Sequence, residues 1–270
     1  MPFESHQTLA DGLLPAVLEA GRVMLEIRER GLIVDTKADR SPVTEADRLA
    51  ETILVAALER IHPNVPIVAE ESAAAGQAPD ARATLFLVDP LDGTRDYVAG
   101  RNDFTVNIGL VDEGAPVFGF IYAPARGELF VTTGKGQAVG AQVEATSGAT
   151  SMADLTTSRL STRRAMPGQI TALVSRSETG PDHADRIAQL GATSKIGMSS
   201  AVKFCLIARG DADIYPRFGT TCEWDTAAGQ AILQAAGGTV TNLDGSPMIY
   251  GKSALGYRNT SFIARGEPAA

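Results

Sequence analysis

Residues 85–100, LFLVDPLDGTRDYVAG, decide the fold at the centre of this chain. An apolar run at 85–88 leads directly into the hexapeptide DPLDGT at 89–94, which predicts a buried strand that stops at its first acid. The proline of the hexapeptide fixes φ and lacks an N–H, and the glycine lets the chain pass close to a ligand. The stretch therefore predicts a strand whose end presents two carboxylates three positions apart.

The pattern on either side of this strand changes along the chain. Helical spacing of apolar residues predicts one amphipathic helix over 9–30 and a second that begins near Thr44. Alternating runs from 84 to about 140, each ended by a glycine-containing turn signal, predict an antiparallel meander. Residues 141–168 are polar and poorly periodic, which favours an excursion and a linker. From 169 onward strands and helices alternate, which is typical of an α/β unit.

The length of 270 residues fits two domains. We expect an N-terminal α+β domain over 1–164 that carries the acidic motifs, and a C-terminal α/β domain over 165–270 that carries substrate-binding residues.

Composition and charge narrow the class of protein. Hydrophobic residues make up 44% of the chain and charged residues 21%, which is ordinary for a soluble globular protein. No apolar run approaches the roughly 18 residues of a membrane span, and the N-terminus shows no signal-peptide pattern. The net charge of −8 opposes binding to a nucleic acid polymer. These features predict a cytoplasmic protein without a transmembrane segment.

The cysteines and histidines predict neither a disulfide framework nor a zinc site. Cys205 and Cys222 are two thiols in a long chain, and no histidine stands nearby in the sequence to act as a base. The three histidines, His6, His62 and His183, lack the spacing of zinc ligands. A reducing compartment and packed thiols are the expectation.

Five acids stand where apolar structure stops: Glu70, Glu71, Asp89, Asp92 and Asp225. Each alone has an ordinary explanation, such as a solvated pair, a turn, or an acid favoured at a helix N-terminus. Together they predict a cation site, because converging buried carboxylates are costly without a counter-charge. Oxygen ligands favour Mg²⁺, which keeps water and substrate phosphate in its shell.

Three motifs carry a resemblance to a known family. They are EE at 70–71, DPLDGT at 89–94 and WDTAAGQAILQAAGG at 224–238. In this order they resemble the inositol monophosphatase-like superfamily of lithium-sensitive, Mg²⁺-dependent phosphatases, over about residues 9–265. The resemblance implies a layered αβαβα sandwich of mixed α+β and α/β type, with two to three Mg²⁺ in a cleft between the halves.

Longer stretches resemble one branch of that superfamily, the CysQ-type 3'(2'),5'-bisphosphate nucleotidases. They are KADRSPVTEAD at 37–47, residues 104–130, and residues 199–229, which include IYPRFG. The resemblance implies hydrolysis of the 3'-phosphate of adenosine 3',5'-bisphosphate to AMP in sulfur assimilation. Relatives occur as monomers and homodimers, and peripheral association with the inner membrane occurs in some.

The resemblance also implies roles for individual residues. The metal ligands would be Glu70, Asp89, Leu91 through its carbonyl, Asp92 and Asp225. Catalytic roles would fall to Asp47, Thr94 and Glu71, with Thr94 and Asp47 positioning or deprotonating the attacking water. Substrate contacts would be Glu70, Leu91, Asp92, Gly93, Thr94, Ser199, Ser200, Lys203, Arg217 and Asp225. Two departures stand out: in TRDYV at 94–98, Arg-Asp-Tyr-Val stands where Lys-Glu-Phe-Ile more usually follows the Asp-Gly-Thr, and Ser199 replaces an acid that contacts the base in some relatives.

Several alternatives stay open at this point. Thr44-x-x-Asp47 has the spacing of a helix capping box, which competes with a catalytic role for Asp47. Lys203 and Arg217 could be ordinary surface cations. The substrate could instead be inositol monophosphate, fructose 1,6-bisphosphate or histidinol phosphate, because the metal motifs do not discriminate among them. A non-catalytic phosphometabolite-binding protein is the alternative from another class.

Overall fold

The computed structural model describes residues 5–37, 41–79, 83–178 and 181–267. The described elements stack as helices, sheet, helices, sheet and helix around three hydrophobic clusters. The predicted layered αβαβα sandwich is therefore confirmed.

The first layer consists of two long helices, α1 (His6–Arg30) and α2 (Glu45–Ile61). The apolar stripe of α1 is buried, as its helical spacing predicts. The helix begins earlier than predicted because the Ser5 hydroxyl accepts the Thr8 N–H and caps it. A hairpin of β1 (Val34–Thr36) and β2 (Pro42–Thr44) lies between the two helices in the chain.

The second layer is a seven-stranded sheet whose strands pair in chain order. The strands are β3 (Ile67–Ala69), β4 (Thr84–Asp92), β5 (Thr105–Asp112), β6 (Ala115–Ala123), β7 (Glu128–Gly134), β8 (Gln137–Gln142) and β9 (Thr157–Arg159). β3 is parallel to β4, and every later pair is antiparallel, so the predicted meander is confirmed. Two short helices, α3 (Glu70–Ala74) and α4 (Thr94–Val98), follow β3 and β4.

The remaining layers come from the C-terminal part of the chain. A five-stranded sheet has the order β11–β10–β12–β16–β14 and contains β10 (Ile170–Ser175), β11 (Ala192–Met198), β12 (Ile214–Arg217), β14 (Thr239–Asn242) and β16 (Phe262–Arg265). β13 (Thr221–Cys222) pairs separately with β15 (Arg258–Asn259). Helices α6 (Val202–Ala208) and α7 (Ala227–Ala235) belong to the hydrophobic cluster between the sheets, and α5 (Pro181–Gln189) packs on the outer face.

Strand β4, the second strand of the seven-stranded sheet, separates two cores. Phe86 and Val88 pack in the cluster with α1 and α2, whereas Leu85 and Leu87 pack in the cluster with α6 and α7. Both faces of the strand are therefore buried, which explains why its sequence is an unbroken apolar run rather than an alternating one.

Several short strands were not predicted, and two of them, β9 and β11, are largely exposed. The prediction of an excursion and linker over 141–168 is wrong in part, because β8 extends to Gln142 and β9 occupies 157–159. β11 was also missed, and most of its residues face solvent at the edge of the five-stranded sheet. Neither strand has the apolar alternation that marks a half-buried one. The domain boundary at 164/165 lies between the two sheets and stays a prediction.

Helix α7 approaches the seven-stranded sheet unusually closely. A Cβ on Gly109 would lie 2.8 Å from the Ala227 Cβ, and one on Gly119 would lie 2.1 Å from the Ala228 carbonyl oxygen. These glycines are paired across β5 and β6. Because they have no side chains, the start of α7 rests against the sheet backbone and holds the preceding residues beside β4.

Among the helices of the described residues, none is long and apolar enough to cross a bilayer.

Candidate active site

A bulge at the end of β4 brings its two acids to one edge. Asp89 pairs with Asn107 and Asp92 pairs with Thr105, so three steps on β4 oppose two on β5. In a regular strand, residues three apart point to opposite faces. The extra residue reverses that alternation, so both carboxylates reach the same cleft. The bulge therefore explains how two acids three residues apart in the DPLDGT motif can reach the same cleft.

Gly93 turns the chain at this edge. Its φ is +93°, and a Cβ would lie 2.8 Å from the Asp103 carbonyl oxygen. Both the left-handed conformation and the lack of space favour glycine. α4 begins directly afterwards at Thr94. The turn therefore places the Thr94 hydroxyl beside the end of β4.

Glu70 is brought beside Asp89 by strand register. Ala69 pairs with Val88 in the parallel β3–β4 ladder, so the next residues along, Glu70 and Asp89, continue side by side. The buried carboxylate of Glu51 accepts the backbone N–H of Glu71 at 2.7 Å and fixes the start of α3. The paired ends of these two strands therefore present both acids at one edge of the sheet.

Asp225 enters from the C-terminal part of the chain. It ends a 3-10 turn, Glu223–Asp225, and its Oδ2 accepts the Cys222 N–H at 2.7 Å. The expectation that Asp225 opens the helix is wrong by two residues, because α7 starts at Ala227. The acid caps the preceding turn, and the close approach of α7 to the sheet carries it to β4.

Glu70, Asp89 and Asp225 form an acidic cluster, the name used below for these three residues. Each offers a carboxylate oxygen within 4.8 Å of those of the others. Burial and the neighbouring carboxylates raise the pKa of Asp89 well above its ordinary value, and the same causes raise that of Asp225. Neither Asp89 nor Asp225 has an ion-pair partner among the described residues that would oppose this rise. Convergent oxygen donors of this kind suit a hard divalent cation.

Asp92 stands beside the cluster rather than within it. Its Oδ2 accepts the Ala201 N–H at 2.5 Å and an Asn107 amide N–H at 3.4 Å. Burial raises its pKa, while Lys203 opposes that shift. The Leu91 carbonyl accepts a hydrogen bond from the Thr94 hydroxyl at 3.1 Å. The assignment of Asp92 and Leu91 as metal ligands stays a prediction.

Lys37 reaches the acidic cluster and was not singled out from the sequence. Its Nζ lies 2.6 Å from Glu70 Oε1 and 2.6 Å from Glu71 Oε1. Burial acts to lower the pKa of Lys37, but the two carboxylates hold it above its ordinary value. Burial raises the pKa of Glu71 to about 7, although Lys37 opposes that shift. The ammonium shows that this glutamate pair draws in positive charge. Its sequence signal was the lysine that opens KADRSPVTEAD.

Asp47 divides its two oxygens between two tasks. Oδ2 accepts the Thr44 N–H at 2.8 Å and the Thr44 hydroxyl at 2.7 Å, so the predicted capping box is present. Oδ1 accepts the Thr94 hydroxyl at 3.2 Å. Burial raises the pKa of Asp47. The cap therefore leaves one carboxylate oxygen directed at Thr94, and capping does not exclude a role in proton transfer.

The acidic cluster lines a cleft of about 570 Å³, and the predicted substrate residues line it too: Gly93, Thr94, Ser199, Ser200, Lys203 and Arg217. Lys203 is buried, donates to the Ser200 carbonyl at 2.6 Å and lies 4.7 Å from the Tyr215 ring centre. Burial lowers its pKa to about 8. The cleft thus has an acidic wall and a cationic wall. A larger cavity of about 1110 Å³ shares Glu70 and Asp225 with it.

Arg101 and Arg176, which line the cleft together with Arg95, were given no role in the sequence analysis. Arg176 lies after β10 and pairs with buried Asp96 and, at 2.7 Å, with Asp103. Arg101 pairs with Asp96 at 2.7 Å. The acids neutralise the guanidinium groups of Arg176 and Arg101. These ion pairs therefore stabilise the cleft wall. Arg217 has no comparable close carboxylate partner among the described residues; its nearest is Glu178 at 3.6 Å.

Comparison with known proteins places this chain among metal-dependent phosphatases. The model of the inositol monophosphatase family matches residues 5–266. The 3'(2'),5'-bisphosphate nucleotidase CysQ of Escherichia coli strain K12 is 34% identical over 244 residues, which cover 90% of this chain and 94% of that protein.

Solved structures agree with the fold. The crystal structure of CysQ from Bacteroides thetaiotaomicron superposes with a TM-score of 0.79 at 35% identity, covering 97% of this chain and 98% of that one. The extragenic suppressor protein SuhB from Bartonella henselae gives a TM-score of 0.74 at 25% identity, covering 96% and 94%.

Proposed function

The chain belongs to the inositol monophosphatase family, and from this premise we propose that it removes the 3'-phosphate of adenosine 3',5'-bisphosphate, giving AMP and phosphate. The observation that carries the proposal is the acidic cluster on one wall of a cleft that has Lys203 and Arg217 on the other. The relatives named as 3'(2'),5'-bisphosphate nucleotidases, similar over most of the chain, support the nucleotide as substrate.

The cofactor we propose is Mg²⁺, two to three ions per site. The acidic cluster would hold it together with Asp92 and the Leu91 carbonyl. The fit rests on the chemistry of the donors, which are all oxygens, and on the raised pKa of Asp89 and Asp225. When bound, such ions neutralise the phosphoryl oxygens and lower the pKa of a bound water.

Asp47 and Thr94 would orient and deprotonate the attacking water. The Thr94 hydroxyl has one proton, which it directs towards Asp47 Oδ1 and the Leu91 carbonyl. Its oxygen lone pairs then remain to accept a hydrogen bond from water in the cleft. Asp47, with a pKa raised by burial, is a better proton acceptor than an exposed aspartate. Glu71 would share Lys37 with Glu70 and so limit the negative charge at this end.

Lys203, Arg217, Ser199 and Ser200 would bind the nucleotide. Lys203 is a buried point charge beside Asp92, and Arg217 offers a planar guanidinium suited to a second phosphate. Direct attack by water needs no covalent enzyme intermediate.

The substrate is tested by phosphate release with Mg²⁺ from four compounds at equal concentration. They are adenosine 3',5'-bisphosphate, inositol 1-phosphate, fructose 1,6-bisphosphate and histidinol phosphate. We expect the nucleotide to be preferred by about a hundredfold or more, since one missing buried charge contact costs several kcal/mol. Equal or better turnover of a sugar phosphate would overturn the substrate assignment while leaving metal-dependent hydrolysis intact.

The Asp47→Asn variant tests the proposed water activation. We expect kcat to fall by about a hundredfold or more while Mg²⁺ binding, measured by calorimetry, is retained. The matched control is Thr44→Ala, which removes part of the helix cap without touching Asp47 Oδ1. If Asp47→Asn keeps its turnover, Asp47 is a capping residue only.

A further inference from the structure

Glu178 lies beside the cleft and contacts Arg217, a cleft arginine with no closer carboxylate partner among the described residues. It follows β10, whose neighbour β12 ends at Arg217. The Glu178 side chain is 11% exposed and that of Arg217 is 16% exposed. Nothing in the sequence pattern marks Glu178, since no motif contains it.

One oxygen of Glu178 fastens the loop that follows β12. Oε1 accepts the Phe218 N–H at 2.9 Å and also accepts the Gly219 N–H. A Cβ on Gly219 would lie 3.1 Å from this oxygen. The loop is held from another side as well, because Arg186 lies 3.6 Å above the Phe218 ring. Two adjacent backbone N–H groups form an anion-binding concavity, and here a carboxylate of the chain fills it.

The other oxygen of Glu178 faces the Arg217 guanidinium and the His183 ring without a hydrogen bond. Oε2 lies 3.6 Å from Arg217 Nη1 and 3.7 Å from His183 Nε2. In the part of the chain that the structure describes, Oε2 and the Nε of Arg217 are both buried without a hydrogen-bond partner. The carboxylate therefore offsets part of the guanidinium charge without accepting a hydrogen bond from it, and Nη2 donates to the Thr220 carbonyl at 3.5 Å.

We propose that Glu178 is a positioning residue for Arg217 and sets how strongly the site binds the second phosphate of its substrate. This inference rests on the proposed function. The carboxylate has two opposing effects. Its hydrogen bonds to the backbone hold Arg217 at the cleft, which favours anion binding. Its negative charge, close to the same guanidinium, repels an incoming phosphate. Glu178 is thus a specificity-determining residue whose shape and charge act in opposite directions.

Two variants separate shape from charge. In Glu178→Gln the amide oxygen still accepts the Phe218 and Gly219 N–H groups, but the negative charge is gone. We expect the KM for adenosine 3',5'-bisphosphate to fall about three- to tenfold at unchanged kcat. Glu178→Ala also loses the acceptor, so the loop is released. We expect the KM for the bisphosphate to rise by about tenfold in that variant, because Arg217 is no longer held in place.

Adenosine 3'-phosphate, which lacks the second phosphate, is the control substrate, and its KM should change less than about twofold in either variant. The matched charge control is Asp185→Asn, an exposed acid on α5, which should change neither KM. A merely structural role for Glu178 would shift both variants in the same direction, or both substrates equally. Either result would overturn the inference.

Calorimetry with adenosine 5'-phosphate and Mg²⁺ separates this inference from the proposed function, because the probe keeps the second phosphate and has no scissile 3'-ester. Three- to tenfold tighter binding to Glu178→Gln supports the inference even if the wild-type protein hydrolyses no nucleotide, an outcome that would overturn the proposed function alone. Unchanged binding in a protein that does hydrolyse adenosine 3',5'-bisphosphate overturns the inference alone.

Discussion

Two groups of buried acids in this protein differ in their counter-charges. The acidic cluster contacts one cation among the described residues, Lys37, which it shares with Glu71. A second group, the paired acids, consists of Asp96, Glu128 and Asp213, and each contacts at least one arginine. Asp89 is as buried as the paired acids, whereas Glu70 and Asp225 are half-buried, so burial alone does not distinguish the two groups.

The pKa shifts run in opposite directions in the two groups. Burial acts to raise the pKa of Asp213, but two N–H groups of Arg163, at 2.8 and 2.7 Å, hold it below its usual value. Arginines likewise hold the pKa of Asp96 and Glu128 low against burial. The carboxyls of Asp89 and Asp225 have no such partner among the described residues, and their pKa is raised. Burial acts to raise the pKa in both groups, and the presence or absence of an arginine partner decides the direction of the net shift.

The largest expected effect is at Asp89. Asp89→Asn removes a central donor of the acidic cluster, so kcat/KM with Mg²⁺ should fall by about a thousandfold or more. The same change removes a repelling carboxylate, so the free energy of unfolding without metal should hold or rise. Activity assays and urea denaturation in EDTA measure the two quantities. A marked loss of metal-free stability would contradict the comparison.

Asp213→Asn should have the opposite effects, a loss of stability without a loss of activity. It leaves the Arg163 guanidinium without its bidentate partner, so the free energy of unfolding should fall by about 3 kcal/mol. Asp213 does not line the cleft, so kcat should be unchanged. The control is Asp211→Asn, since the Asp211 side chain is 46% exposed and its ion pair contributes at most about 1 kcal/mol. If Asp213→Asn and Asp211→Asn lower the free energy of unfolding equally, the buried ion pair contributes no more than the exposed one, which would contradict the comparison.

The metal-free protein should lose stability as the pH rises from about 4.5 to about 7. Glu71 has an ordinary pKa of 4.5 and a folded-state pKa of about 7, so the folded state binds its proton more tightly in this window. The stabilisation from this proton is full below pH 4.5 and is lost by about pH 7, with a total of about 3 kcal/mol. The paired acids lose stability at lower pH, because their pKa values are depressed.

Denaturation between pH 4 and pH 8, with EDTA or with Mg²⁺, measures this dependence. We expect Mg²⁺ to restore stability at pH 7, because a bound cation replaces the protons that the acids would otherwise hold. Identical pH profiles with and without the ion would show that the acidic cluster is not where the ion binds.

The smallest expected effect concerns the cationic wall. Burial lowers the pKa of Lys203 to about 8, so in the free enzyme its charge is lost above that pH. Since kcat/KM reports the free enzyme, it should fall about tenfold per pH unit above pH 8. Lys203→Arg, which stays charged, should flatten this alkaline limb while lowering kcat/KM near pH 7. An unchanged limb in the variant would assign the titration to another group.

Most of the long helices and buried strands could be predicted from the sequence, because their patterns depend on residues close together in the chain. The apolar run before Asp89 predicted β4, and the period of the first helices predicted α1 and α2. β9 and β11 were not predicted, because an exposed edge strand needs only backbone pairing and has no apolar pattern. The family resemblance supplied the layered order that periodicity could not.

The candidate site likewise has features that the sequence predicted and features that only the structure shows. The sequence by itself determined the acids, the glycine turn at Gly93 and the Thr44–Asp47 cap, since each depends on residues a few positions apart. Only the tertiary structure decided that Glu70, Asp89 and Asp225 converge, because that depends on the β3–β4 register, the β4 bulge and the contact of α7 with glycines on β5 and β6. It alone paired Lys37 with Glu70 and Glu178 with Arg217, since charges distant in the chain meet only through packing.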